Sequence, residues 1–240
     1  MKSAMYSTFA DEYDLAIQDN IYNAHLERPS LQALLPDIAG LNILDLGCGS
    51  GVYAEYLLDQ GANHVTSIDY SADMIQLLQN KMEKRQQPDK THAYVQDLSL
   101  GLPQEKDASA DLVIAPLMIH YLKNLHPLFE EVHRVLKTNG MFVFSSHHPF
   151  VDFASSSSKN YFATEKIQEE WHTLGRPVEV TFYRRPLSDI MNALAQSGLL
   201  LTHMSEGQVS QKVKTMDEKR YQHLTTRPNF LFIQSLKGVE

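Results

Sequence analysis

From Leu41 to Ser146 short apolar runs alternate with stretches whose apolar residues recur every three or four positions. "LNILDLG" is an apolar run ending in glycine and reads as a buried strand. "VYAEYLLDQ" places Val52, Tyr53, Tyr56 and Leu57 on one helical face, and Gly61 stands where a helix stops. "HVTSIDY" predicts a second strand. Ser71 can cap the helix that follows, whose Met74, Ile75, Leu78 and Met82 form one stripe before Pro88. "HAYVQDL" and "ADLVIAPL" read as the third and fourth strands. Leu125, Leu128, Phe129, Val132 and Leu136 then define an amphipathic helix that "TNG" is expected to end, ahead of a fifth strand, "MFVFSS".

Apolar strands alternating with amphipathic helices predict an α/β fold whose parallel sheet is covered on both faces. The alternation breaks over residues 147–185, where a serine run, scattered aromatics (Phe150, Phe153, Tyr161, Phe162, Trp171) and "VEVTFY" predict an inserted cap. It resumes with Leu187, Ile190, Met191 and Leu194 at helical spacing, then strand-like "LLLTHMS" and "NFLFIQSL", which brings the strand count to seven. Residues 1–40 read as helical, with Tyr6, Phe9 and Tyr13 as early aromatics. The partition is therefore a single domain over 1–240: N-terminal segment 1–40, core 41–146, cap 147–185, and C-terminal helix and strands 186–240.

Composition narrows the function. The 240 residues carry 21 Lys and Arg against 29 Asp and Glu, a net charge of −8 that disfavours a nucleic-acid surface. No apolar run approaches the roughly 20 residues that cross a bilayer, so no membrane is expected. The start, "MKSAMYSTFADEYD", turns acidic where an export signal would be apolar, and a cytoplasmic protein is expected. One cysteine forms no internal disulfide, and metal-ligand spacings are missing, so no metal is expected.

The segment "LDLGCGSG" supplies the chemistry. A strand entering a glycine-rich turn and then a helix lets a ligand lie against backbone, beside free N–H groups. "GSGVYA" followed by Asp69 satisfies a loose dinucleotide pattern, which leaves an NAD(P)-dependent oxidoreductase open. Asp45 points elsewhere. A carboxylate two residues before the first glycine would repel a pyrophosphate and suit a cation. Asp69 and Asp97 end the second and third strands, so three acids share one rim. They suit a ligand with an ammonium, a sulfonium, ribose hydroxyls and an adenine amine, as in S-adenosylmethionine.

At these residues the chain resembles the class I S-adenosylmethionine-dependent methyltransferases, and within them the small-molecule branch similar to ubiquinone and menaquinone biosynthesis enzymes. "ILDLGCGSG", "IDYSADMI", "VQDLSLGLP" and "LKTNGMFVFS" carry the likeness over roughly residues 5–146. It implies a Rossmann-like, doubly wound sheet. It implies that Gly47, Cys48 and Gly49 hold the methionine moiety by their backbone and that Asp45 organises it. Asp69 would bind the ribose; Met74, Asp97 and Leu98 would meet the adenine; Tyr13 would lie near the methionine end, and Tyr70 and Pro116 would also bind the cofactor. The Cys48 side chain reads as small buried filler. The implied product is S-adenosylhomocysteine, with no metal.

Five further residues are candidates for the acceptor side. His120 and His147 follow the fourth and fifth strands and could take a proton from an acceptor. Tyr121, His148 and Arg184 are candidate substrate contacts. No Asn-Pro-Pro-Tyr-like tetrapeptide follows "VIAPLMIHYL" and no Pro-Cys nucleophile exists, which argues against adenine, glutamine or cytosine acceptors. The expectation is a methyltransferase acting on O, N or C of a small molecule, with a non-catalytic S-adenosylmethionine-binding protein as the other alternative. Monomer and dimer both remain open.

Overall fold

A computed structural model describes residues 3–238. The N-terminal segment is helical: α1 (Ala10–Ile17), a π-helical turn (Asn23–Glu27) and α2 (Arg28–Gln32). The core follows as β1 (Asn42–Leu46), α3 (Val52–Asp59), β2 (His64–Asp69), α4 (Ala72–Lys84), β3 (Thr91–Val95), β4 (Ala110–Ala115), α5 (His126–Val135) and β5 (Leu136–His147). The cap holds α6 (Pro149–Asp152), β6 (Glu165–Trp171) and β7 (Val178–Arg184). α7 (Leu187–Gln196), β8 (Leu199–Ser205), α8 (Lys212–Met216), α9 (Glu218–Thr226) and β9 (Phe230–Lys237) complete the described chain.

The seven-stranded sheet runs β3-β2-β1-β4-β5-β9-β8. β1 to β5 are parallel, and β9 enters antiparallel between β5 and β8. Strand order reverses between β1 and β4, and the crevice outside their carboxyl ends is where such sheets bind ligands. The period-two pleat splits the core. Leu44, Leu46, Val113, Phe142 and Phe144 face α5 and α7. Ile43, Leu112, Ile114 and Val143 face α2, α3 and α4. Both faces are therefore dry, and each fully buried Leu or Phe contributes roughly 1.5–3 kcal/mol.

Two elements differ from the sequence expectation. The helix ends at Val135, because Leu136 is already extended and paired with Ala110 of β4, so β5 begins before "TNG". Between β8 and β9 lie α8 and α9, which periodicity does not announce: each buries a single side chain, Val213 and Leu224. The cap strands form their own antiparallel pair, with Ile167 opposite Phe182. Met5, Val178 and Val180 form a third small core there, packed by Tyr6, Phe9, Tyr13, Tyr121 and Trp171.

Candidate functional site

A cavity of about 700 Å³ opens outside the carboxyl ends of β1, β2 and β4. Three glycines shape the loop beneath it, and Gly47 and Gly49 line it. Gly47, Gly49 and Gly51 all have positive φ, which a side chain disfavours. A Cβ on Gly47 would stand 2.4 Å from the Met118 side chain, and one on Gly51 would stand 2.7 Å from Leu78. At Gly49 the same position meets only open space, so this glycine leaves room on the cavity side.

The rim acids differ in how they are held. Asp69 accepts from the backbone N–H of Gly49 at 2.9 Å and of Ser71 at 2.8 Å, so it braces the loop against the start of α4. Burial nevertheless pushes its pKa up. Asp97 accepts from Ser99 N–H at 2.9 Å. Asp45 has no accessible surface, and neither carboxylate oxygen has a hydrogen-bond partner. Burial first, then the charges of Asp69 and Glu27, raise its pKa to about 8. An unpartnered buried carboxylate is costly, and a bound cation would relieve it.

Eleven expected cofactor residues reach this cavity: Tyr13, Asp45, Gly47, Cys48, Gly49, Asp69, Tyr70, Met74, Asp97, Leu98 and Pro116. Tyr121 reaches it too. The Cys48 side chain is buried, and burial raises its thiol pKa.

Four expected acceptor residues lie elsewhere. Arg184 has no accessible surface; its Nε donates to Glu165 at 2.6 Å and its Nη2 to the Ala163 carbonyl at 2.8 Å, so it binds the cap to itself. The reason is strand phase. Even-numbered residues of β7 point into the cap core, while Glu179, Thr181 and Tyr183 line the cavity. His120 is buried, stacked on His147 with ring centroids 3.9 Å apart, and neither of its nitrogens has a partner. His147 in turn packs against Trp171 and Phe182. His148 caps α6, its Nδ1 accepting from Phe150 N–H at 3.2 Å, and its Nε2 faces Glu206 at 3.0 Å. None of the three histidines lines the cavity, which corrects the expectation that they reach substrate.

The sequence reading missed Glu27, Arg28 and Tyr6. Glu27 ends the π-helical turn and is buried at the cavity wall, accepting from Ser145 Oγ at 2.7 Å and Tyr53 OH at 3.0 Å. Burial pushes its pKa to about 7. Such turns often mark functional sites, but no residue pattern announced this one. Tyr6 brings its hydroxyl within 2.6 Å of the Tyr121 hydroxyl. Its backbone carbonyl accepts from Ser71 Oγ. Asp14 accepts from Ser50 Oγ at 2.5 Å and Lys81 Nζ at 2.7 Å, so the N-terminal segment is fastened over the glycine loop.

The Methyltransferase domain family matches residues 44–144. A malonyl-acyl-carrier-protein O-methyltransferase of Legionella pneumophila is 28% identical over 229 residues, covering 93% of this chain and 77% of its own. An S-adenosylmethionine-dependent methyltransferase structure from Mesorhizobium loti aligns with a TM-score of 0.68 at 28% identity, over 88% of this chain and 97% of that one. A Listeria monocytogenes structure assigned to the same enzymes shares the fold with a TM-score of 0.74 at 24% identity, over 89% and 97% of the two chains. Sheet order and glycine loop are those of the class I methyltransferase fold, and the family match falls on that core. Residues 44–144 thus carry a Methyltransferase domain, and the chain is similar over most of its length to S-adenosylmethionine-dependent methyltransferases.

Proposed function

We propose that the chain moves a methyl group from S-adenosylmethionine to an oxygen, nitrogen or carbon of a small molecule. The observation that carries this reading is Asp45, a buried carboxylate without a partner beside a loop whose Gly49 leaves open space. A pyrophosphate would oppose its ionisation; an ammonium would favour it and pair with the carboxylate. Asp45 would hold the methionine ammonium, and the Gly47, Cys48 and Gly49 backbone would lie along the methionine chain. Asp69 and Tyr70 would take the ribose, Met74 and Leu98 the adenine faces, and Asp97 the adenine amine. Tyr13 and Pro116 would close the methionine end.

When bound, the cofactor supplies a methyl made electrophilic by a sulfonium. The protein's own task is alignment and exclusion of water, and alignment alone can supply effective molarities of about 10⁵ M or more. The N-terminal segment and the cap strand β7 wall the rest of the cavity, and the enclosed space suits a small acceptor. The Legionella relative's name describes O-methylation of a malonyl group, a small acyl acceptor borne on a protein.

Calorimetric titration tests the cofactor. Micromolar binding of S-adenosylhomocysteine with no response to NADH is expected, and the reverse would restore the oxidoreductase. Labelled methyl transfer across a metabolite panel tests catalysis; cofactor binding without transfer to any acceptor would leave a non-catalytic binding protein.

A further inference from the structure

The cavity is built unevenly around its unassigned end. There the walls carry Tyr6, Tyr121, Thr181, Tyr183 and Lys123. The Tyr6 and Tyr121 hydroxyls are 2.6 Å apart, and the Tyr6 ring meets Tyr13 edge-on at 5.0 Å. Burial raises the pKa of all three phenols, which keeps them protonated. A hydroxyl pair uses one of its two hydrogens internally and leaves the other for a ligand. Lys123 has no ion pair among the described residues and adds a positive charge. This end presents hydrogen-bond donors.

Bases are scarce there. His120 and His147 are stacked outside the cavity, and His148 is held by Glu206 and α6. Both oxygens of Asp69 accept backbone N–H groups, and both oxygens of Glu27 accept hydroxyls. Asp97 caps a turn, and Asp45 lies at the end of β1 beside the loop. Glu179, exposed on the cap strand, is the one remaining carboxylate at this end. An ammonium, phenol or thiol with a pKa between about 8.5 and 10.4 must shed a proton to become a nucleophile at neutral pH, whereas a carboxylic acid near 4 arrives ionised.

We propose that the acceptor is a carboxylate, seated by the Tyr6–Tyr121 hydroxyls and Lys123 and methylated on oxygen. The inference rests on the methyl transfer proposed above and names its substrate class. A carboxylate oxygen attacks the methyl carbon, and the carbon–sulfur bond breaks with its electron pair going to sulfur. The products are a neutral methyl ester and S-adenosylhomocysteine, and no proton moves. This balance explains why the donor-rich end needs no base.

The test uses the purified full chain, tritiated methyl donor, and two acceptor sources: a protein-free bacterial metabolite extract and a set comprising butyrate, octanoate, malonate, succinate and benzoate. Methyl esters release volatile labelled methanol in mild alkali; ethers, amines and C-methyl products do not. Most transferred label is expected to be alkali-labile. Glu179→Gln should alter only the acceptor KM and keep at least half of the rate at saturating acceptor, because nothing depends on a base there. Tyr121→Phe should weaken binding of the accepted acid to the S-adenosylhomocysteine-loaded protein at least ten-fold, with cofactor affinity unchanged. Alkali-stable label, loss of transfer in Glu179→Gln, or bound cofactor with no transfer to either source would overturn the carboxylate. Failure to bind S-adenosylhomocysteine would instead overturn the methyltransferase reading beneath it.

Discussion

The two walls of the cavity are built on opposite principles. On the core side, contacts come from strand ends and from a loop whose backbone is braced through Asp69 by two N–H donors. On the cap side, side chains from three separate stretches converge: Tyr6, then Tyr121 and Lys123, then Glu179, Thr181 and Tyr183. The sheet holds the first wall rigid. The second is held by polar fastenings such as Asp14 to Ser50 and Lys81, and Arg176 to Glu12. Changes in the core wall should therefore strike cofactor affinity, and changes in the cap wall should strike the acceptor alone.

The largest effect is expected from Asp69→Ala. It removes the acceptor of both Gly49 and Ser71 N–H groups, leaving two donors unmatched at the loop, each costing about 1–3 kcal/mol. S-adenosylhomocysteine affinity should fall a hundred-fold or more by calorimetry; retention within three-fold would break the assignment. Asp45→Asn should cost ten- to a hundred-fold in affinity yet stabilise the ligand-free protein. The folded pKa, about 8, exceeds the ordinary 3.8, so the folded state holds a proton the unfolded state lacks between those values. Stability from this group is therefore present at acid pH and lost as pH rises towards 8. Thermal unfolding at pH 8 should show the variant more stable, on the order of 1–3 kcal/mol. For the parent, cofactor affinity should climb up to about pH 8, with a proton released on binding.

The same contrast governs what could be read from the chain. The strands, the glycine loop and the three rim acids follow from local rules: period-two burial, positive-φ glycines, acids at carboxyl ends. Nine of the twelve residues that reach the cavity as expected belong to such places or immediately follow one; Tyr13, Met74 and Tyr121 do not. Arg184 failed by one position of strand phase, since "VEVTFYRR" alternates clearly but does not say which face meets the ligand. His120 and Tyr121 are neighbours in a 3-10 turn, Ile119–Tyr121, and only Tyr121 lines the cavity. Glu27 depends on partners 26 and 118 residues away, and no local pattern encodes such pairing.

Cap-wall variants come next in size. Arg184→Met removes the partner of Glu165 and the donor to the carbonyls of Asn160, Tyr161 and Ala163. The cap should loosen, with faster proteolysis between residues 155 and 165. The acceptor KM should rise about ten-fold while S-adenosylhomocysteine affinity stays within three-fold, the size of a disturbed water-excluding wall. A matching loss of cofactor affinity would show that the two walls are one cooperative unit.

The smallest effect should come from His120→Phe, at the seam between the walls. His120 stacks on His147 at 3.9 Å and meets the Phe182 ring edge-on at 6.1 Å, so a phenyl ring can keep both contacts. Neither imidazole nitrogen has a partner to lose. Burial, then the His147 and Arg185 charges, drive its pKa well below 6.5, so the folded state keeps it neutral. Below about pH 6.5 the unfolded chain takes up a proton that the folded chain refuses, and this contribution to stability is lost as pH falls. Phenylalanine has no such penalty, so the variant should match the parent at pH 8 and outlast it at pH 5 in thermal unfolding. Turnover should stay within about three-fold with an unchanged pH profile, whereas a general base is worth roughly 10²–10⁴. A hundred-fold fall in kcat with loss of the acidic limb would return His120 to the chemistry and merge the seam with the site.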